Sequence, residues 1–205
     1  LASCDRVIPD EAEGARQLVH WLAAHGRRRI LFMSPPQTDV YWVRMRREGY
    51  ESGIGECGLA SLPPVYHHAI EQCPGVSRTD IFTLRTDYCT GLLAPLAGNG
   101  EPAVDAILAV NDGYVPYVHA ACRKLGWQPN ADVLVAGYDN FWRDAWEYEF
   151  DSTPPAVTVD KRNFVMGNEL VVMLLDRIAG EFSYKPEKRL IAPELVPVNQ
   201  LESRP

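Results

Sequence analysis

The chain has 205 residues, of which 46% are hydrophobic, and a formal net charge of −7. This length and hydrophobic content are enough for one large domain or two small lobes. The acidic balance, with a pI near 5.2, argues against a nucleic-acid-binding surface on this chain, because such binding depends on Lys and Arg neutralising phosphates.

Helix and strand patterns alternate through the first half of the chain. The predicted elements are a helix over 11–25, a strand over 30–33, a helix over 40–54, a short strand over 65–70 and a helix near 87–96. Gly26 ends the first helix, whereas Gly49 weakens the second half of the second helix. Residues 57–80 carry the weakest pattern.

The second half of the chain shows the alternation more clearly. The predicted elements are strands over 105–110, 132–137 and 156–160, helices over 113–125 and 162–179, and two short extended pieces divided by Pro193. The unbroken apolar runs AILAV and VLVAG are typical of strands that are buried on both faces. Repeated strand-helix alternation predicts an α/β fold with a parallel sheet and right-handed crossovers.

Polar side chains follow two of these buried strands directly. Asn111 and Asp112 close one strand, and Tyr138, Asp139 and Asn140 close the next. In a parallel sheet, ligands bind beyond the carboxyl ends of the strands, so both groups are expected at one rim. Carboxylate, amide and aromatic groups together suit a polyhydroxylated ligand. A simpler alternative remains, in which these residues only form turns or cap helices.

Motifs of other function classes are not found. No CxxC or HxxxH spacing supports a metal site, GNGEP lacks the Lys-Ser/Thr of a phosphate loop, and no serine lies in a G-x-S-x-G elbow. Asp139 with Asp112 is the only candidate acid/base pair. We therefore expect no enzymatic activity and no metal or other cofactor.

The beginning of the chain and its cysteines indicate a cellular compartment. LASCDRVIPDEAEG lacks the basic head and apolar middle of a signal peptide, and no stretch approaches the roughly 18 apolar residues that cross a bilayer. The odd number of five cysteines favours reduced thiols over a disulfide framework. We expect a soluble, cytoplasmic protein without membrane contact.

Six segments carry a resemblance to a known family. They are GARQLVHWLAAHGRRRILFM, RMRREGY, AILAVNDGY, DVLVAGYDNFW, PPAVTVDKRNFVMG and LIAPELV. In this order and spacing, over about residues 8–197, the chain resembles the effector-binding domain of the lactose-repressor/galactose-repressor family of bacterial transcription regulators. The resemblance implies a two-lobed, type I periplasmic-binding-protein-like fold, in which a sugar or nucleoside-like effector binds between the lobes and resets the DNA affinity of a homodimer.

The resemblance also implies ligand-binding positions. Arg46 matches a helix arginine that bonds effector hydroxyls or an acidic group, although it could be a solvated helix residue. Asn111 matches an effector-contacting amide, with Asp112 beside it as a further candidate or as a helix cap or hinge group. Asp139 matches the position that usually grips sugar hydroxyls.

Three further positions are expected at the site. Phe82 matches an aromatic platform, although an ordinary core phenylalanine is the alternative. Lys161 stands where relatives carry a polar residue that reaches the ligand. Trp42, one helical turn before Arg46, stands where relatives commonly carry a small or hydroxyl residue, which implies a pocket that is reshaped or partly filled. Lys161 and Arg46 together suggest an acidic or phosphorylated effector.

The family's helix-turn-helix, hinge helix and first elements of the first lobe are not matched in this chain. The resulting division assigns residues 1–33 to a remnant of an incomplete first lobe, 34–157 to the second lobe, 158–191 to the return into the first lobe, and 192–205 to a C-terminal strand and tail on the second lobe. Operator DNA is then bound only through a helix-turn-helix outside this chain, and exposed edges favour a dimer. The alternative function is a periplasmic-type solute-binding receptor of a sugar transporter.

Overall fold

The computed structural model describes residues 4–36, 39–68, 75–98, 101–180 and 185–198. The helices are α1 (Glu11–Ala24), α2 (Tyr41–Glu56), α3 (Arg78–Leu93), α4 (Val115–Lys124) and α5 (Asn163–Ala179). The strands are β1 (Arg6–Pro9), β2 (Ile30–Ser34), β3 (Val65–Tyr66), β4 (Ala97–Gly98), β5 (Glu101–Pro102), β6 (Ala106–Leu108), β7 (Leu134–Ala136), β8 (Val157–Asp160), β9 (Lys188–Ile191) and β10 (Glu194–Pro197). Within these ranges, no helix has the length and apolarity to cross a membrane.

A six-stranded sheet forms the centre of the fold. Its strand order is β10-β8-β7-β6-β2-β3, and all neighbours are parallel except β10, which runs antiparallel to β8. Two smaller ribbons lie outside it: β1 pairs in parallel with β9, and β4 pairs with β5 in antiparallel orientation. The predicted α/β fold with a mostly parallel sheet is confirmed.

Both faces of this sheet are covered by helices, which explains its unbroken apolar runs. In β2, Leu31 and Met33 pack into a core shared with α3 and α4, whereas Ile30 and Phe32 pack into a core shared with α1 and α2. Successive residues of a strand point to opposite faces, so residues 30–33 of β2 all carry apolar side chains.

Two glycines bring α1 and α2 unusually close together. A Cβ atom at Gly49 would lie 2.0 Å from the backbone oxygen of Ala12, and one at Gly53 would lie 2.8 Å from the Cβ of Val19. Glycine is therefore required here for helix contact, although it lowers the intrinsic stability of α2. This contact places the side chain of Arg46 next to the start of α1.

The expected division into lobes needs a correction. The predicted boundary between residues 33 and 34 falls inside β2, which lies between β6 and β3 in the six-stranded sheet. α1 packs on the same sheet and shares a core with α2. Residues 10–36 therefore belong with the large sheet, because the apolar face of α1 is buried against it.

The chain returns to the small ribbon in a later segment. β8 remains in the six-stranded sheet, whereas α5 and β9 lie with β1. Arg177 of α5 forms an ion pair with Asp5, with 2.6 Å between Nη2 and Oδ1. The assignment of 158–191 to one unit therefore separates β8 from its sheet partners.

The bounds predicted from local sequence patterns were wrong for some elements. α3 begins at Arg78 rather than near residue 87, with the side chain of Ser77 accepting a hydrogen bond from the backbone N–H of Asp80. The polar first turns of α3 hide its apolar face in the sequence. β1 was not predicted. Its partner β9 lies about 180 positions later, and pairing between such distant segments leaves no local pattern in the sequence. Of the predicted strand 65–70, residues 69 and 70 lie outside the described part of the chain.

One face of α5 is open to solvent. Met173 is its only fully buried side chain among the described residues. Its large exposed apolar residues are Phe164, Leu170, Val171, Val172, Leu174, Leu175 and Ile178. A contiguous apolar surface of this kind is unusual on a monomeric soluble protein.

Candidate functional site

A cavity of about 160 Å³ lies beyond the carboxyl ends of β6 and β7. Its lining residues are Glu11, Trp42, Arg46, Val110, Asn111, Asp139 and Lys161. They come from the start of α1, from α2, and from the segments that follow β6, β7 and β8. The sheet topology therefore brings together residues that are distant in the sequence, as expected for a site at strand ends.

Arg46 lies at the centre of this arrangement. Its Nε donates to Glu11 Oε2 at 2.7 Å, its Nη1 to the backbone oxygen of Val110 at 2.8 Å, and its Nη2 to Asp139 Oδ1 at 3.0 Å. The guanidinium carbon also lies 3.5 Å from the ring centre of Tyr138. Arg46 is buried, so each of these contacts acts in a region of reduced dielectric constant.

Charge compensation keeps Arg46 ionised in spite of its burial. Burial lowers the pKa of Arg46, but the carboxylates of Glu11 and Asp139 outweigh that effect and hold the pKa above its usual value. The arginine is therefore a fixed cation that orients two carboxylates. Its planar group suits this role, because it can donate in several directions at once.

A second cation faces the same acidic group. Lys161 Nζ lies 3.0 Å from Asp139 Oδ1, the oxygen that also accepts from Arg46. The cavity is thus lined by two carboxylates and two cations, whose formal charges cancel. Neither cation faces the cavity as an uncompensated charge.

Asn111 and Trp42 supply the neutral part of the lining. The Oδ1 atom of Asn111 accepts from the backbone N–H of Tyr114 at 3.1 Å, which caps a short 3-10 helix and fixes the carboxamide. Its Nδ2 group is the part of the side chain that can donate to a ligand. The half-buried ring of Trp42 lies 4.9 Å from the Arg46 guanidinium carbon and offers an aromatic wall.

Five of the seven predicted site residues line this cavity, namely Trp42, Arg46, Asn111, Asp139 and Lys161. The structure does not bring Phe82 and Asp112 to it. Phe82 packs between Tyr117 and Phe150, with ring centres 5.1 and 4.9 Å away, and belongs to the core under α3 and α4. Asp112 is fully buried behind the cavity wall.

Glu11 is the acidic residue that sequence reasoning missed. An acid in the first turn of a helix is common, because it interacts favourably with the helix dipole, so its presence carried no signal of a site. Only the close contact of α1 with α2 brings it to Arg46. Gly49 and Gly53, one helical turn apart on α2, were the available sign of that contact.

Comparisons with known proteins show what this chain is similar to. Residues 19–197 match the family profile of the periplasmic binding protein-like domain. The chain is 31% identical over 173 residues to the HTH-type transcriptional regulator CelR of Thermobifida fusca, which covers 84% of this chain and 45% of that protein.

Solved structures show the same fold. The transcriptional regulator CelR-cellobiose complex superimposes with a TM-score of 0.70 at 24% identity, over 95% of this chain and 53% of that one. A regulatory protein of the LacI family from Chloroflexus aggregans superimposes with a TM-score of 0.68 at 24% identity, over 92% of this chain and 60% of that one. The chain spans about half the length of these relatives.

Proposed function

Because this chain belongs to the family of periplasmic binding protein-like domains, we propose that it is the effector-binding part of a sugar-responsive transcriptional regulator. The comparisons also confirm the resemblance to regulators of the lactose-repressor type that the sequence motifs predicted. The observation that carries the proposal is the convergence of Arg46, Asn111 and Asp139 on one cavity.

The charges of the cavity favour a neutral, polyhydroxylated effector over an acidic one. Arg46 and Lys161 already pair with carboxylates, so a ligand anion would compete with Glu11 and Asp139 for them. Asp139 can accept hydrogen bonds from sugar hydroxyls, Asn111 can donate them, and Trp42 can pack against a C–H face. The similar CelR structure is a complex with cellobiose, a neutral sugar.

The remaining properties of the whole protein follow from the same proposal. A homodimer binds operator DNA in the cytoplasm through a helix-turn-helix that lies outside these 205 residues. The acidic balance of this chain supports a separate DNA-binding element, since phosphate contacts require Lys and Arg. Sugar binding between the lobes then changes the affinity for DNA.

Catalysis and transport are less well supported. The candidate acid/base pair fails sterically, because Asp112 is sealed behind the cavity and its carboxylate is engaged by three donors. The relatives reported above are transcriptional regulators, which favours the regulator over a transport receptor. The proposed site therefore binds its ligand without changing it.

Isothermal titration of the full-length protein tests the proposal. The panel contains cellobiose, glucose and ribose as neutral sugars, and gluconate and glucose 6-phosphate as acidic ones. We expect a neutral sugar to bind most tightly, and Asp139→Asn to weaken that binding. Asp144→Asn, an exposed acid in the same loop, is the matched control. Binding of the acidic compounds alone, or equal effects of both variants, would contradict the proposal.

A cheaper observation addresses the DNA-binding part. The coding sequence upstream of Leu1 is expected to encode a helix-turn-helix, followed by a hinge helix and the first elements of the first lobe. A secretory signal peptide at that place would instead support the transport receptor.

A further inference from the structure

The backbone that carries Asp139 is held in an unfavourable conformation. Asp139 has φ = 89° and Asn140 has φ = 53°, so two consecutive residues with side chains occupy the left-handed region. L-residues other than glycine rarely adopt such values, and a run of two persists only where the surroundings enforce it. The turn that presents the Asp139 carboxylate to the cavity therefore depends on contacts that hold it from outside.

Two contacts to β8 hold the pair directly: the backbone N–H of Asp139 donates to the backbone oxygen of Val159 at 2.8 Å, and Asn140 Nδ2 donates to Asp160 Oδ2 at 3.0 Å. Asp112 adds contacts that hold the chain immediately after the pair. Its Oδ2 accepts from the backbone N–H groups of Phe141 at 2.8 Å and Trp142 at 3.2 Å, the two residues that follow the strained pair. Its Oδ1 accepts from the hydroxyl of Thr158 at 2.7 Å, and that hydroxyl in turn accepts from the backbone N–H of Asn140 at 3.4 Å. One carboxylate thus joins the segments that follow β6 and β7 to Thr158 in β8.

A glycine that packs against Asp112 leaves room for this arrangement. A Cβ atom at Gly137 would lie 2.0 Å from Asp112 Oδ1, so a side chain at that position would displace the carboxylate. Asp112 itself has no exposed surface and does not line the cavity. Its hydroxyl and N–H partners are all donors, which matches an ionised carboxylate that accepts only.

We propose that Asp112 is a positioning residue for effector binding, which holds the strained turn at Asp139 and Asn140 and thereby fixes the Asp139 carboxylate in the cavity. The inference rests on the proposed function, because it assigns to Asp112 a role in the affinity for a sugar that Asp112 never touches. Burial and hydrogen bonding make it act through the backbone of residues 139–142.

The principal variant is Asp112→Asn in the full-length protein. The amide has nearly the same shape, but one oxygen becomes an NH₂ donor that faces other donors, so at least one hydrogen bond is lost. We expect the affinity for cellobiose or ribose to fall roughly tenfold or more. Thr158→Val removes one donor from the same carboxylate and is expected to act in the same direction with a smaller effect. It provides a readout where Asp112→Asn does not fold.

A double-mutant cycle separates positioning from general destabilisation. If Asp112 acts through Asp139, Asp112→Asn should cost little further affinity in a protein that already carries Asp139→Asn. Independent, additive losses would overturn the proposal. Val118→Ala, in the core on the far side of the sheet, is the control for lowered stability and should leave the affinity unchanged.

Hydrogen exchange tests whether Asp112 holds the turn at Asp139 and Asn140, even if the protein binds neither cellobiose nor ribose. In Asp112→Asn, backbone amides of residues 139–142 should exchange faster, whereas those of β6 and β7 should not change. Unchanged exchange in residues 139–142 overturns the proposal. If the unaltered protein binds no sugar but Asp112→Asn still speeds exchange in residues 139–142, the result counts against the sugar-sensing function. The positioning role of Asp112 then remains supported.

Discussion

Arg46 and Asp139 form an ion pair, with 3.0 Å between Nη2 and Oδ1, that joins α2 to the turn after β7. The two residues lie 93 positions apart in the sequence. Because Arg46 also bonds Glu11 and the backbone of Val110, one side chain connects the elements that line the cavity. Arg46 therefore both stabilises the fold and lines the cavity.

Arg46→Met is expected to lower the free energy of unfolding by about 3 kcal/mol or more, because removing one partner of a buried ion pair leaves an uncompensated charge. Glu11 would be the group left without its cation. Arg44→Met, on the exposed face of the same helix, should change the free energy by less than about 0.5 kcal/mol. Urea denaturation at neutral pH measures both, and similar losses for the two variants would contradict the structure.

Trp42 is expected to report sugar binding through its fluorescence, because its ring forms a wall of the cavity. Trp42→Phe should remove most of the fluorescence change on addition of sugar, and Trp42→Ala should also weaken binding roughly tenfold through the loss of the aromatic surface. Trp21→Phe, on α1 and away from this cavity, should preserve the signal. A signal that disappears with Trp21 and survives without Trp42 would place the ligand elsewhere.

Sugar affinity is expected to decrease as the pH falls from about 8 to about 6. Burial raises the pKa of Asp112 to about 7, and the hydrogen bonds from Thr158, Phe141 and Trp142 only partly oppose it. The added proton removes acceptor capacity, so the turn at Asp139 is held less firmly below that pKa.

Two other titratable groups near Asp112 need to be considered in that profile. The charge of Asp139 raises the pKa of Asp112, and the hydroxyl of Tyr148 donates to the backbone oxygen of Asp112 at 3.1 Å. Titration calorimetry across this pH range, with the unaltered protein and Asp112→Asn, is the measurement. A profile equally steep in Asp112→Asn would assign the dependence to another group.

Isolated residues 1–205 are expected to self-associate through the open face of α5. Leu174 and Ile178, which are 59% and 74% exposed, lie one helical turn apart on that face. Leu174→Lys with Ile178→Lys should shift sedimentation toward the monomer, because burial of this apolar area drives association. Leu84→Lys, which alters a single exposed leucine on α3, is the control and should have little effect.

The sequence predicted the central sheet well because its signals are local. The apolar runs that form β6 and β7, and the glycine that ends α1, reflect neighbours along the chain. The division into lobes was placed wrongly because it depends on which sheet α1 packs against. The apolar face of α1 is buried in the core of the six-stranded sheet, and Gly49 and Gly53 allow α2 to pack closely against α1 there.

The residues of the candidate site also fall into those that the sequence predicted and those that only the structure placed. By itself, the sequence determined that polar groups follow two buried strands, and its motifs determined the family, so Asn111, Asp139 and Arg46 were predicted to lie together, as they do around the cavity. Only the tertiary structure decided that Glu11 completes the charge balance, that Phe82 lies in the core, and that Asp112 stands behind the cavity. The physical reason is that charge compensation and burial depend on which residues are neighbours in three dimensions, and residues far apart in the chain become neighbours only after packing.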